Sequence, residues 1–233
     1  MALPKLKSAV IEHNETLLTG RKIKIRPFHG REEKKILTAK MSGTPIEQFD
    51  VIIEVMSTCV SQDVLQFSMA EFEQAYLILY SVSVNDKIEA SFVCGECQAI
   101  ISASIPVSAV KMGEDIGKTT TIDLGQDETG KNVTMVLNQL SVATSRMVMS
   151  AEDDSEIVAI FDSLEGIYVG EDQIESPELE EFGEWLLNQP NAYTESIKTI
   201  RTSPQMSYSK KWQCPDGHDN VTEVKGFSSF FRS

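Results

Sequence analysis

The sequence predicts an α+β fold, with a helical N-terminal half followed by β-hairpins and with acidic helices late in the chain. Three observations carry that expectation. Apolar residues recur at helix spacing through the first third of the chain. Short alternating runs bracketed by Gly, Asp and Cys come next. Finally, residues 147–197 contain 14 acidic residues and no Lys or Arg. The chain has 233 residues, 41% hydrophobic and 24% charged. That composition buries a core of one large or two small domains and rules out wholesale disorder.

Lys22, Ile23, Lys24, Ile25 and Arg26 alternate polar and apolar, which is strand periodicity, and Pro27 stops it. A helix is expected over about 31–40, then another over about 45–60 with Ile46, Phe49, Ile52, Ile53 and Met56 on one side. Ser68 with Glu71 three positions later forms a capping-box signal. Behind it Phe72, Ala75, Tyr76 and Leu79 fall at i, i+3, i+4, i+7, predicting a third helix.

The pattern changes at about residue 88. Residues 88–93 and 100–105 read as strands flanking Cys94-Gly95-Glu96-Cys97. Residues 120–124 and 133–137 flank a turn with Gly125, Asp127 and Gly130, a second hairpin candidate. The acidic stretch reads as helices. Ile157, Ile160, Phe161 and Leu164 form one stripe after an acidic cap at Asp153 or Asp154. Ser176 and Pro177 form an N-cap and first-turn pair, with Leu179, Phe182 and Leu186 behind them. Tyr193, Ile197 and Ile200 suggest a last helix before Pro204. The chain thus divides into a strand and helical region, 1–87, and a hairpin region with inserted acidic helices, 88–233; the two also read as one continuous domain.

The net charge of −14 is unevenly spread, since residues 1–40 hold ten basic and only four acidic residues. An acidic bulk argues against general nucleic-acid affinity, which needs clustered cations. Polarised charge favours docking on proteins with complementary patches. No apolar run approaches the roughly 18 residues of a membrane helix. No signal-peptide core follows Lys5 and Lys7, so a soluble protein made in a cytosol is expected.

In such a compartment structural disulfides are disfavoured, and a close cysteine pair points to metal or redox chemistry. Cys94 and Cys97 form a C-x2-C unit whose tight turn aims both thiolates at one ion. Cys214-Pro215-Asp216-Gly217-His218 is a second knuckle, shaped by Pro215 and Gly217. Cys94, Cys97, Cys214 and His218 together make a closed Cys3His site of the structural zinc type. The fold expectation therefore includes a discontinuous zinc-ribbon, with the acidic helices between its two knuckles. A thioredoxin-like pair would need a helix after the first cysteine, whereas a strand-like run follows here. Cys59 lies on an apolar helix face and reads as a core thiol; His13 and His29 read as surface residues.

Other motifs carry no chemistry. Gly113 to Thr119 reads GEDIGKT, but a phosphate-binding loop needs four residues between its glycines and only three are present. Asn14, Asn132 and Asn220 open N-x-T sequons that are chance matches without secretion. No Ser-His-Asp pattern or nucleophile elbow is visible, so no enzyme is expected and no catalytic residue is assigned. Phe227, Phe230 and Phe231 crowd the last seven positions. They predict a final strand or turn packed back onto the zinc ribbon, or else an anchor for a neighbouring subunit.

Ile23-Lys24-Ile25-Arg26-Pro27-Phe28, then Glu32-Glu33-Lys34 and Ile36-Leu37, resembles the N-terminal signature of the baseplate hub proteins of T-even-type contractile-tailed phages. The helix around Tyr76 to Leu79, Ser81-Val82, and the Cys94–Cys97 knuckle agree in order. So does an ending with an aromatic residue, Cys214, a knuckle, and Gly226-Phe227 before Phe230-Phe231. The resemblance departs at Gly217, where the family pattern implies the second cysteine of the last knuckle; His218 would stand in for it. It implies a late virion or assembly protein of the tail baseplate hub. Such a protein works by contact with other baseplate or hub proteins, in the virion and in the host cytoplasm during assembly. The alternative, drawn from the ribbon and the basic first 40 residues, is a zinc-ribbon nucleic-acid-binding or transcription-associated module. Lys87, Lys210, Lys211 and Lys225 alone give it thin cationic support near the knuckles.

Overall fold

In the computed structural model, which describes residues 11–150, 155–175, 177–202 and 204–231, the chain is α+β with several small antiparallel sheets. It opens on a hairpin of β1 (His13–Thr16) and β2 (Lys22–Ile25). The alternation in β2 turns Ile23 and Ile25 into the core and leaves Lys22 and Lys24 outside.

Three helices follow, as the capping residues and apolar spacing require. α1 (Gly30–Ser42) starts after His29, whose amide donates to Glu32. α2 (Pro45–Cys59) has Thr44 as N-cap, a capping box with Glu47, and Pro45 in its first turn. α3 (Met69–Ser83) is capped by the Ser68–Glu71 box. Phe49, Ile52, Ile53 and Met56 of α2 are buried, as are Phe72, Ala75, Tyr76 and Leu79 of α3. The Arg26 amide donates to the Cys59 carbonyl, tying β2 to the end of α2. Cys59 itself is buried in the core.

β3 (Lys87–Val93) pairs with β4 (Ile100–Pro106) in one hairpin, with Val93 opposite Ile100. β5 (Thr120–Gln126) pairs with β6 (Asn132–Leu137) in the other expected one. Its turn is held by Asp127, whose carboxylate accepts from the amides of Thr129 and Lys131. α4 (Val142–Met149), which apolar spacing alone did not announce, begins at Ser141.

The acidic stretch is helical only in part. α5 (Ser155–Asp162) ends where the Ser163 hydroxyl donates to the Ala159 carbonyl. Leu164 therefore does not extend the helical stripe. It begins β7 (Leu164–Val169), which pairs with β6 and with the two-residue β8 (Asp172–Gln173) to give a sheet ordered β5-β6-β7-β8. Pairing against the exposed flank of β6 overrides the helical spacing of one leucine. α6 (Leu179–Asn188) has Glu178 at its N-cap position, with no side-chain cap hydrogen bond. Asp153, Asp154 and Ser176 lie outside the described residues. α7 (Ala192–Arg201) follows as expected.

β9 (Ser207–Gln213) and β10 (Asp219–Lys225) form a hairpin that returns to the first core, and α8 (Phe227–Phe231) ends the chain. The aromatic ending packs back, but as a short helix against α3. Phe227 meets Tyr76 at 4.9 Å and Phe72 at 6.0 Å between ring centroids, and Phe230 is buried.

Two hydrophobic cores result. One joins β2, α2 and α3 to Ile88, Phe92, Ile105, Trp212 and Phe230. The other gathers Ile122, Met135, Ile160, Ile167, Phe182 and Ile200 from the sheet and helices between residues 120 and 202. No described helix is long and apolar enough to cross a membrane.

Candidate metal centre

The turns of the β3–β4 and β9–β10 hairpins meet. They bring Cys94, Cys97, Cys214 and His218 together, with all four donor atoms within 4.8 Å of one another. Each turn is built by its own backbone. In the first, the Cys94 amide donates to the Ala99 carbonyl and the Gln98 amide to the Cys94 carbonyl, with Gln98 left-handed at φ 59. In the second, the Cys214 amide donates to the His218 carbonyl and the Gly217 amide to the Cys214 carbonyl. Gly217 has φ 87, a conformation that favours glycine over any residue with a β-carbon.

At the position where the resemblance implies a cysteine, Gly217 reverses the chain. The fourth donor arrives one residue later on a longer side chain, and the ring of His218 bridges the gap.

Three of the donor separations are close to those of a tetrahedral site. Metal–sulfur bonds of about 2.3 Å and a metal–nitrogen bond of about 2.0–2.1 Å would set sulfurs roughly 3.8 Å apart and sulfur to nitrogen roughly 3.6 Å apart. Cys97 Sγ lies 3.7 Å from Cys214 Sγ. His218 Nδ1 lies 3.4 Å from Cys214 Sγ and 3.8 Å from Cys94 Sγ. Four such donors could hold one metal ion and leave no position open on it.

Electrostatics favour a cation here. The Cys97 and Glu96 amides and the Asn220 side chain point at Cys94 and hold its thiol down to about 6. The Ala99 amide would help ionise Cys97 too. Burial and the neighbouring Cys94, Asp216 and Cys214 side chains nevertheless push that thiol up to about 12. One thiolate is stabilised and the next is opposed, a conflict that a divalent ion removes.

A surrounding layer absent from the sequence expectation orients these donors. Asn220 Nδ2 donates to Cys94 Sγ at 3.4 Å and to the His218 carbonyl at 2.9 Å, while its Oδ1 accepts from the Gly95 amide at 3.1 Å. The His218 amide donates to Cys214 Sγ, and Glu96 Oε2 lies 3.5 Å from His218 Nε2. The available signal for Asn220 was its place two residues after His218, which returns a strand side chain to the same side. Behind the turns Phe92 packs on Trp212 at 6.1 Å, and Trp212 Nε1 donates to Thr222 Oγ1.

Comparison with known families adds the decisive observation. A family model described as T4 bacteriophage base plate protein matches residues 9–232, nearly the whole chain. The chain belongs to that family. No curated protein and no solved structure matched it. As a base plate family member the chain is a protein of the phage tail, and the match covers both hairpin turns and the acidic stretch between them. His29 and His13 are not among the four clustered donors: His29 lies at the N-cap of α1 and His13 in β1.

Proposed function

We propose that this base plate family protein serves the central hub of the tail baseplate, as a structural or assembly component stabilised by one structural zinc ion. The observation that carries the reading is the family match over residues 9–232. The order of the Arg26-Pro27-Phe28, Cys94–Cys97 and Gly226–Phe231 signatures supports the hub within it. Cys94, Cys97, Cys214 and His218 are the ligands. A thiolate-rich donor set of this spacing suits zinc, and a closed coordination sphere gives the ion a fold-stabilising role with no catalytic position. The protein acts by contact with other baseplate or hub proteins, in the host cytoplasm during assembly and in the virion afterwards.

The test is twofold. Purified protein is expected to contain about one zinc per chain by elemental analysis. The chain should also be captured by purified hub subunits and found either in mature particles or in hub assembly intermediates. Presence in particles marks a permanent component, and presence in intermediates alone marks an assembly factor. Absence from both would overturn the hub reading.

A further inference from the structure

The groove between the β7–β8 hairpin and α6 encloses about 390 Å³, within the range of ligand sites. Its floor is apolar: Phe182 is buried, Trp185 is half-buried, and Ile174 is 42% exposed. The indole N–H of Trp185 has no hydrogen-bond partner among the described residues. Glu175, Glu178 and Glu181 line the rim.

Part of the acidic stretch is charge-paired, and the rim is not. Glu156 pairs with Arg201, Asp172 with Lys131, and Glu195 with Lys198. The three rim carboxylates are exposed and meet no cation among the described residues. Unpaired negative charge therefore borders a partly exposed apolar floor.

From this we infer that the groove docks a basic, amphipathic segment of a partner protein, whose large apolar side chains fill the floor while Lys or Arg meets the rim. The inference deepens the protein-contact reading above and rests on it. Nucleic acid and anionic lipid are repelled by the same rim. An acidic segment would set its own carboxylates against the three of the rim.

The test uses the full chain and two synthetic 12-residue peptides, one alternating Leu and Lys, the other alternating Ser and Lys, titrated by fluorescence anisotropy at 0.15 M salt. The Leu–Lys peptide is expected to bind at least about tenfold more tightly, because only it fills the floor. Joint substitution of Glu175→Gln, Glu178→Gln and Glu181→Gln should weaken it about tenfold or more. Removing the same charge at Glu12, Glu114 and Glu128 should change binding less than about twofold, since exposed charges act locally. Ile174→Ser should narrow the gap between the peptides. Equal weakening by both triple variants, equal affinity for both peptides, or no binding of the Leu–Lys peptide would each overturn the groove. A chain found in baseplates without groove selectivity keeps its hub role and loses this site. A chain with groove selectivity that is absent from particles and hub intermediates keeps the site and loses the role.

Discussion

Glu73, on α3, is 3% exposed, and its two carboxylate oxygens accept from the amides of Met206 at 2.7 Å and Phe227 at 2.9 Å. It thereby pins the start of β9 and the start of α8 to the helical layer. Burial pushes this carboxyl up to about 7 despite the two amides, from an ordinary 4.5. The folded chain therefore binds more protons than the unfolded one between about 4.5 and 7, and stability falls as pH rises through that window. The span corresponds to a few kcal/mol at most, on the order of 3. Glu73→Gln should flatten the slope, measured by urea unfolding at pH 5 and pH 7.5. It should also cost about 1–3 kcal/mol at the lower pH, because its amide nitrogen leaves one backbone donor unmet. An unchanged slope would assign the pH dependence elsewhere. At the metal cluster, Cys94→Ser should abolish zinc binding, whereas His218→Cys should retain about one zinc per chain by keeping four donors. If the Ser variant kept full zinc, the assignment of the site would fail. The four donors were legible because C-x2-C and C-x3-H spacings are local; Glu73 and Asn220 were not, because the contacts that tie them to other parts of the chain span 125 or more residues.

At the scale of elements, what was readable in the sequence was whatever carried its own terminator. α3 has a capping box that names its first residue, α2 has a clear apolar face, and the β5–β6 turn has Asp127 and Gly130. Two elements hid. α4 is short and half-apolar, and β7 has its apolar residues where a helical count also accepts them. Both are decided by neighbours: α4 by the Val142 amide bonding to the Phe67 carbonyl, and β7 by pairing with β6. The cap at Ser68 gives a clean test of the local signals. Ser68→Ala removes the hydroxyl that accepts from the Glu71 amide and should cost about 1 kcal/mol. Phe230→Ala, in the buried face of α8, should cost about 3–5 kcal/mol as a cavity in the first core. Chemical unfolding would read both, and the ratio matters. A Phe230 loss near that of Ser68 would mean that α8 is not held on α3.

For the whole molecule, the two cores and the metal cluster define what depends on what. The second core is built from residues between 122 and 200, all of which lie inside the chain segment between Cys97 and Cys214. A metal held by the four donors would close that segment, and cross-linking a loop of about a hundred residues would remove about 4–5 kcal/mol of chain entropy from the unfolded state. The first core, by contrast, contains Cys94 and Cys214 themselves and the Phe92–Trp212 contact directly behind them. Removal of the ion should therefore act unequally. With a strong chelator, amide hydrogen exchange should speed up by at least about tenfold in β3, β4, β9 and β10, whose turns lose their common ligand. The β5-β6-β7 sheet and α5 to α7 keep their own apolar core and should retain most of their protection. Uniform loss of protection across both cores would show one cooperative unit, with the inserted acidic segment unable to hold its sheet once the clasp is open. Selective loss would show that the charge-bearing part of the chain stands on its own core and that the metal positions it against the helical layer.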